Sequence, residues 1–177
     1  AIKHLDDAIR LNPNSAQALY YRGYSYVELG EYTIALEDCN ESIRINPGMA
    51  QTFCLRGRIY ESQGQHDRAL EDFNEAIFIS PEYGYAYVER GDTHLQLGNQ
   101  LKAVEDFTEA VRINPKYGYA FARRGAAYKQ LGENQRAIED YTEAIRIDPE
   151  YAWAFVQRGK AYGDTNDHIR AVEDFTE

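Results

Sequence analysis

The sequence has no basic excess. Nineteen Lys and Arg face 29 Asp and Glu, a formal net charge of −10. A surface that neutralises phosphates would show as a surplus of Lys and Arg, so nucleic acid is not an expected partner. Cysteine is scarce: only Cys39 and Cys54 occur, outside any Cys-x-x-Cys or Cys/His pattern, so buried thiols are expected rather than a disulfide framework or a zinc site. No apolar run approaches the length of a membrane span and no basic-then-apolar leader is present, so no membrane association is expected. The chain does not begin with Met, and the missing leader therefore says little about the full gene product. His-Glu-x-x-His, Gly-x-Ser-x-Gly, Gly-x-Gly-x-x-Gly and phosphate-loop signatures are all absent. His4, His66, His94 and His168 form no ligand pattern. Neither a metal nor a cofactor is expected, and the chain reads as a non-enzyme. With 44% hydrophobic residues, 13% of all residues being aromatic, there is still enough to bury a core.

What is present is a period. All five prolines, Pro13, Pro47, Pro81, Pro115 and Pro149, stand 34 residues apart, a spacing that marks a repeat array. Gly23, Gly57, Gly91, Gly125 and Gly159 keep the same period, and each follows an arginine: Arg22, Arg56, Arg90, Arg124 and Arg158. A second small slot holds Ala35, Ala69, Ala103, Ala137 and Ala171. In "YAYVERGDTHLQLG" and "QLKAVEDFTEAVRI" the apolar and small residues fall at helical spacing. Leu29-Gly30, Leu97-Gly98 and Leu131-Gly132 end the first helix, where glycine can take a left-handed cap, and Asn-Pro or Asp-Pro ends the second. A glycine inside a helix costs about 1 kcal/mol relative to alanine, so its recurrence needs a packing reason. The expected one is close crossing, with each glycine facing the small alanine of the second helix. A third small slot, Ala8, Ser42, Ala76, Ala110 and Ala144, is expected to receive the next repeat.

Glu-Asp pairs recur at Glu37-Asp38, Glu71-Asp72, Glu105-Asp106, Glu139-Asp140 and Glu173-Asp174. Paired carboxylates invite an acid–base reading, but catalysis needs one asymmetric constellation, and five copies point to structure. The arginine before each glycine is expected to pair with one of these aspartates across the helix contact.

These recurrences resemble the tetratricopeptide repeat family over essentially the whole chain. The bulky slot of the first helix holds Leu19, Phe53, Tyr87, Phe121 and Phe155; its aromatic slot holds Tyr26, Tyr60, Tyr128 and Tyr162; that of the second helix holds Phe73, Phe107, Tyr141 and Phe175. The departures are the arginine in place of an apolar residue before each glycine, His94 in the first aromatic slot and Cys39 in the second. The resemblance implies an all-α fold, a right-handed superhelical solenoid of antiparallel helix pairs. In register, the chain divides into a partial repeat at 1–15, repeats at 16–49, 50–83, 84–117 and 118–151, and an incomplete one at 152–177. Both ends cut through a repeat without a polar cap, which suggests a fragment of a longer array and leaves end-to-end self-association as an expected possibility.

The stretch "YGYAY" at 83–87 alternates like a strand, but at a helix start two residues mean about 200° of rotation. Tyr83 and Tyr87 are then expected on one side, Tyr87 in the core, with Tyr85 opposite. The resemblance implies a concave face that holds a peptide or partner protein, and its candidate contacts are Tyr20, Tyr24, Arg58, Tyr85, Glu89, Asp92, Tyr119, Arg123, Lys129, Trp153 and Lys160. Cys54, Leu55, Val88 and Ala122 fall on the same face. Tyrosine and tryptophan are the residue types enriched in binding hot spots. Bare charge counting over this face gives −3 in the first three repeats and +2 in the last two, so a ligand with basic residues toward the former and acidic ones toward the latter is expected. Some family members grip acidic chaperone C-terminal tails with Lys, Asn and Arg side chains. Only Arg123 matches that set, so a chaperone tail is not an expected partner. The leading reading is a non-catalytic scaffold for protein partners. The alternatives are a regulatory or substrate-recruiting segment of a larger enzyme, or a self-assembling superhelical element.

Overall fold

A computed structural model describes residues 2–176, and these form eleven α-helices and no strand. They are α1 (Ile2–Leu11), α2 (Ala16–Glu28), α3 (Tyr32–Ile45), α4 (Ala50–Ser62), α5 (His66–Ile79), α6 (Gly84–Gln96), α7 (Gln100–Ile113), α8 (Gly118–Gln130), α9 (Asn134–Ile147), α10 (Ala152–Asp164) and α11 (His168–Asp174). The chain is all-α, built of helix pairs, and falls into two compact units, Ala1–Glu89 and Arg90–Glu177.

The punctuation follows from backbone chemistry. Gly30, Gly64, Gly98 and Gly132 close the first helices with φ between 71 and 78°, and Asn166 takes the same role at φ 61°. This is the left-handed region that glycine, and after it asparagine, enters most readily. The second helices stop because the residue before each proline is driven out of the helical region: Asn46, Ser80, Asn114 and Asp148 lie at φ −129 to −138° and ψ 87 to 94°.

Inside a pair, the expected facing of glycine and alanine is joined by a second contact, with the aromatic of the second helix. A Cβ placed on Gly57, Gly91 or Gly159 would meet the ring of Phe73, Phe107 or Phe175 at 2.7, 2.8 and 2.7 Å. The aromatic of the second helix lies against the bare glycine backbone, and the ring, more than the alanine, requires the glycine. At Gly23, where the ring is replaced by Cys39, Ala35 O stands 3.3 Å from the added Cβ, and at Gly125 Ala137 O stands 3.2 Å away beside Tyr141, so the alanine backbone is close there as well. The third small slot does pack on the following pair. Ala76 shares a core cluster with Ala86, Ala144 shares one with Ala154, and the Ser42 hydroxyl lies 3.3 Å from that of Thr52 while donating at 2.9 Å to the Ala16 carbonyl of its own pair. The slot it meets, Ala18, Thr52, Ala86, Ala120 and Ala154, is buried throughout.

The recurrent arginine is a staple with three attachments. Arg124 donates through Nε and Nη2 to the two oxygens of Asp140, both at 2.8 Å, and through Nη1 to Thr108 Oγ1 at 3.3 Å on the preceding second helix. Arg158 repeats this with Asp174 and Thr142, Arg56 with Asp72 and Asn40, and Arg22 with Asp38 and Asp6. Arg90 makes the forked contact with Asp106. The expected pairing is therefore present in all five pairs. The guanidinium also lies 5.5 Å from the ring centroid of Phe53, Phe121 or Phe155, within cation–π range. Together with the buried aspartate, this contact lets an arginine stand where an apolar residue is usual. The aspartates are 3 to 6% exposed. Burial pushes the carboxyls of Asp72, Asp106 and Asp140 above the usual range, opposed by the paired arginine. The fork satisfies charges that would otherwise be expensive to bury.

Candidate functional site

The side of the first helices turned away from their partners carries the exposed aromatics. Tyr21 is 50% exposed, Tyr24 and Tyr119 41% and Trp153 37%. Not every residue expected on this face is exposed on it. Cys54, Leu55, Val88 and Ala122 are between 0 and 3% exposed. Leu55 packs with Ala35, Cys39 and Ile59, Cys54 with Phe73 and Ala86, and Ala122 with Tyr141 and Ala154. Small and apolar side chains in these slots go into the seam between neighbouring helix pairs, leaving the larger polar and aromatic ones to form the surface.

In the first unit, Tyr20 and Tyr24 of α2, Gln51, Cys54, Leu55 and Arg58 of α4, and Tyr83 with Tyr85 at the start of α6 line one recess of about 280 Å3. Tyr83 precedes the helix, which begins at Gly84, so helical rotation does not carry its ring away from Tyr85. The two rings lie 6.0 Å apart, which corrects the expected opposition of these residues. Tyr87 is half-buried rather than fully in the core. Arg58 Nε stands 3.9 Å from Glu89 Oε1. Burial raises the pKa of Tyr20, Tyr83 and Tyr85, so these phenols stay protonated.

In the second unit the same face is closed by internal pairs. Arg123 Nε donates to Asp92 Oδ1, and the Tyr119 hydroxyl donates to Asp92 Oδ2 at 3.1 Å. Burial raises the Asp92 pKa, and Arg123 opposes that. Lys129 Nζ donates to Asp164 at 2.7 Å. Trp153 stacks on Tyr151 with centroids 6.0 Å apart and meets Tyr141 edge-on. Lys160 is exposed.

Pairing weakens the charge polarity obtained by counting without reversing it: setting Arg58 against Glu89, Asp92 against Arg123 and Lys129 against Asp164 leaves −2 in the first three repeats and +1 in the last two. Arg58 and Glu89 occupy the same two slots as Asp92 and Arg123, each pair 31 residues apart and with the signs exchanged. Side chains separated by a repeat less three residues become neighbours only when successive pairs pack, so the list of charges along single helices showed them as free when they neutralise each other. Sequence reasoning also missed Tyr83 and Tyr151 as members of the face. Their signal was available: a tyrosine two residues before each aromatic at Tyr85, Tyr119 and Trp153.

Among the described residues no group of three or more His, Cys, Asp or Glu could hold a metal ion, and no helix is long and apolar enough to cross a membrane. A chain of glycine-notched helix pairs, stapled by arginine and bearing aromatics on the outer side of its first helices, belongs to the class of helical-repeat proteins. Tetratricopeptide repeat profiles match residues 16–49, 50–83 and 84–117, and a TPR repeat profile matches 125–166. The chain belongs to the tetratricopeptide repeat family.

Solved structures share this fold. MamA 41-end from Desulfovibrio magneticus RS-1 is 22% identical, with 91% of each chain covered and a TM-score of 0.80. YrrB, described as a TPR protein with an unusual peptide-binding site, is 20% identical over 98% of this chain and 90% of its own, with a TM-score of 0.77. A chain of the APC/C hetero-tetramer Cut9–Hcn1 is 19% identical over 96% of this chain and 34% of its own, with a TM-score of 0.84. At these identities the likeness is one of fold. No curated protein sequence matches the chain.

Proposed function

We propose that this protein is a non-catalytic interaction scaffold that holds a peptide or an extended segment of a partner protein against the outer side of its first helices. The observation that carries the reading is the collection of large aromatics there, Tyr24, Tyr119 and Trp153 among them, each 37 to 41% exposed while the small residues between them are buried. Such side chains offer wide, rigid contact area with a polar tip, and the fold does not need them: Gln17 and Gln51 stand where the later repeats have Tyr85, Tyr119 and Trp153. Peptide binding in YrrB, a protein of the same fold, supports it further. The contacts are Tyr20, Tyr24, Arg58, Tyr85 and Glu89 in the first unit, and Asp92, Tyr119, Arg123, Lys129, Trp153 and Lys160 in the second.

The test is selection of a displayed random-peptide library on the intact protein, followed by affinity measurements on the enriched peptides. Replacing Tyr85, Tyr119 and Trp153 together by alanine weakens those peptides by at least about tenfold, the loss of a hot-spot contact, with the helical circular dichroism retained. Undiminished binding to the triple variant places the ligand elsewhere and ends the reading.

A further inference from the structure

Four of the second helices end alike, and α5 does not. Arg10, Arg44, Arg112 and Arg146 stand in the last turns of α1, α3, α7 and α9. Each donates to the acid three residues before it: Asp7 at 3.0 Å, Glu41 at 2.6 Å, Glu109 at 2.8 Å and Glu143 at 2.9 Å. In α5 the slot holds Phe78, 81% exposed, and the last turn has no basic residue. Glu75, the acid that an arginine there would claim, is exposed and has no ion pair among the described residues. Rotation of 100° per residue places Asp67, Glu71, Glu75 and Phe78 within about 80° of one another along α5, and all four are exposed. The buried residues Ala69, Asp72, Phe73 and Ala76 take the opposite side. Arg68, the one Lys or Arg of α5, is turned elsewhere: it lies 5.4 Å from the Tyr60 ring centroid and donates to Gln65. The fold does not need this stripe. Like charges at i, i+4 repel, and a phenylalanine left in water gains little from the burial that stabilises a core.

We propose that this side of α5 docks a basic amphipathic helix of a partner protein, with a large apolar residue set against Phe78 and Lys or Arg set against Glu75 and Glu71. Along the helix axis Glu75 lies about 4.5 Å and Glu71 about 10.5 Å from Phe78. A partner helix meets all three when its apolar residue and its two basic residues are spaced i, i+3 and i+7, on one side of that helix. Opposite charge then steers the encounter and fixes the register, and the ring supplies the anchor that burial makes strong. A second copy of this chain does not have the chemistry required, since its net charge is −10 and the arginines at the ends of its other second helices are already held by their own acids. The stripe lies on a second helix, apart from the aromatics of the first helices, so the inference goes beyond the reading of that face and does not rest on it.

The test selects a displayed library of helical peptides on the intact protein, with counter-selection on Phe78→Arg. That variant restores the residue of the other second helices and gives Glu75 a partner, so it keeps the helical circular dichroism and melts no lower than the parent. The enriched peptides are net positive, with Lys or Arg three and seven residues from a large apolar residue. They lose at least about tenfold in affinity on Phe78→Arg, the loss of a hot-spot contact. Glu71→Gln combined with Glu75→Gln weakens them by about two- to tenfold, the range of two exposed ion pairs, and lessens their sensitivity to salt. Their affinity is unchanged when Tyr85, Tyr119 and Trp153 are replaced by alanine, which keeps this surface distinct from the first-helix face. No enrichment over Phe78→Arg, enriched peptides without basic residues or dependent on the three aromatics, or affinities indifferent to both glutamates overturn the proposal. A Phe78→Arg variant that melts lower than the parent also overturns it, because Phe78 is then part of the fold. Self-association in sedimentation that Phe78→Arg abolishes overturns it as well and makes a second copy the occupant.

Discussion

Alanine at Gly57 and alanine at Gly23 should act in opposite directions although both replace the same repeated residue. In a helix interior the substitution gains about 1 kcal/mol from backbone propensity. At Gly57 the new methyl would lie 2.7 and 2.9 Å from two ring atoms of Phe73, closer than packed carbons approach. Phe73 is fully buried and cannot swing aside without disturbing the core it shares with Ala69 and Ala76. Overpacking of this kind costs about 1–3 kcal/mol, which leaves Gly57→Ala destabilised by about 1 kcal/mol. At Gly23 the ring is replaced by Cys39, and the nearest atoms are Ala35 O and Asp38 Cβ at 3.3 Å with Cys39 Sγ at 3.6 Å. There the propensity gain and a mild contact leave the change neutral to slightly stabilising. Urea denaturation followed by circular dichroism, compared at unchanged m, gives both values. A cycle with Phe73→Leu identifies the cause: relieved of the ring, Gly57→Ala becomes less harmful, with a coupling of about 1 kcal/mol. If Gly57→Ala stabilises as much as Gly23→Ala, or if the cycle is additive, the ring is not the reason for the glycine.

Three further outcomes follow from the described contacts. Arg124→Met leaves Asp140, 6% exposed, as a buried charge without its partner and lowers stability by about 3 kcal/mol, whereas a double Arg124→Met, Asp140→Leu variant recovers much of the loss; denaturation curves of the two decide this. Burial lowers the pKa of His94 below its ordinary value, so as pH falls below about 6.5 the unfolded chain takes up the proton first. The His94 contribution is therefore present above that pH and lost below it, and His94→Tyr, which restores the residue of the other four repeats, flattens the dependence of Tm on pH between about 5 and 7. Burial pushes the Cys39 thiol up to about 12 and raises that of Cys54 as well, so both resist a thiol-specific disulfide reagent in the native state and react only as the chain unfolds. Rapid labelling of the folded protein would contradict their placement.

Much of the fold is legible because a repeat states each requirement five times. Proline and glycine act locally: Pro47 expels Asn46 from the helical region and Gly30 alone can turn at φ 77°, and neither needs the rest of the molecule. The staple of Arg22, Arg56, Arg90, Arg124 and Arg158 was readable for the same reason, since a charged residue recurring in a core slot must have a recurring partner. Its third attachment, to Asp6, Asn40, Thr108 and Thr142, was not, because three chemically different acceptors share that slot and leave no pattern.

The candidate face was legible as a list and not as a surface. The sequence by itself determined the helix pairs, their termini and which slots are aromatic, because those depend on neighbours within one turn of backbone. Only the tertiary structure decided which of those side chains reach solvent and which charges remain unsatisfied. Leu55 and Ala122 are buried against neighbouring helices, Arg123 was claimed by Asp92, and Arg58 was set beside Glu89. The physical reason is that pairing of charges and burial of small side chains are properties of distance, and residues 31 apart become neighbours only when one helix pair packs on the next.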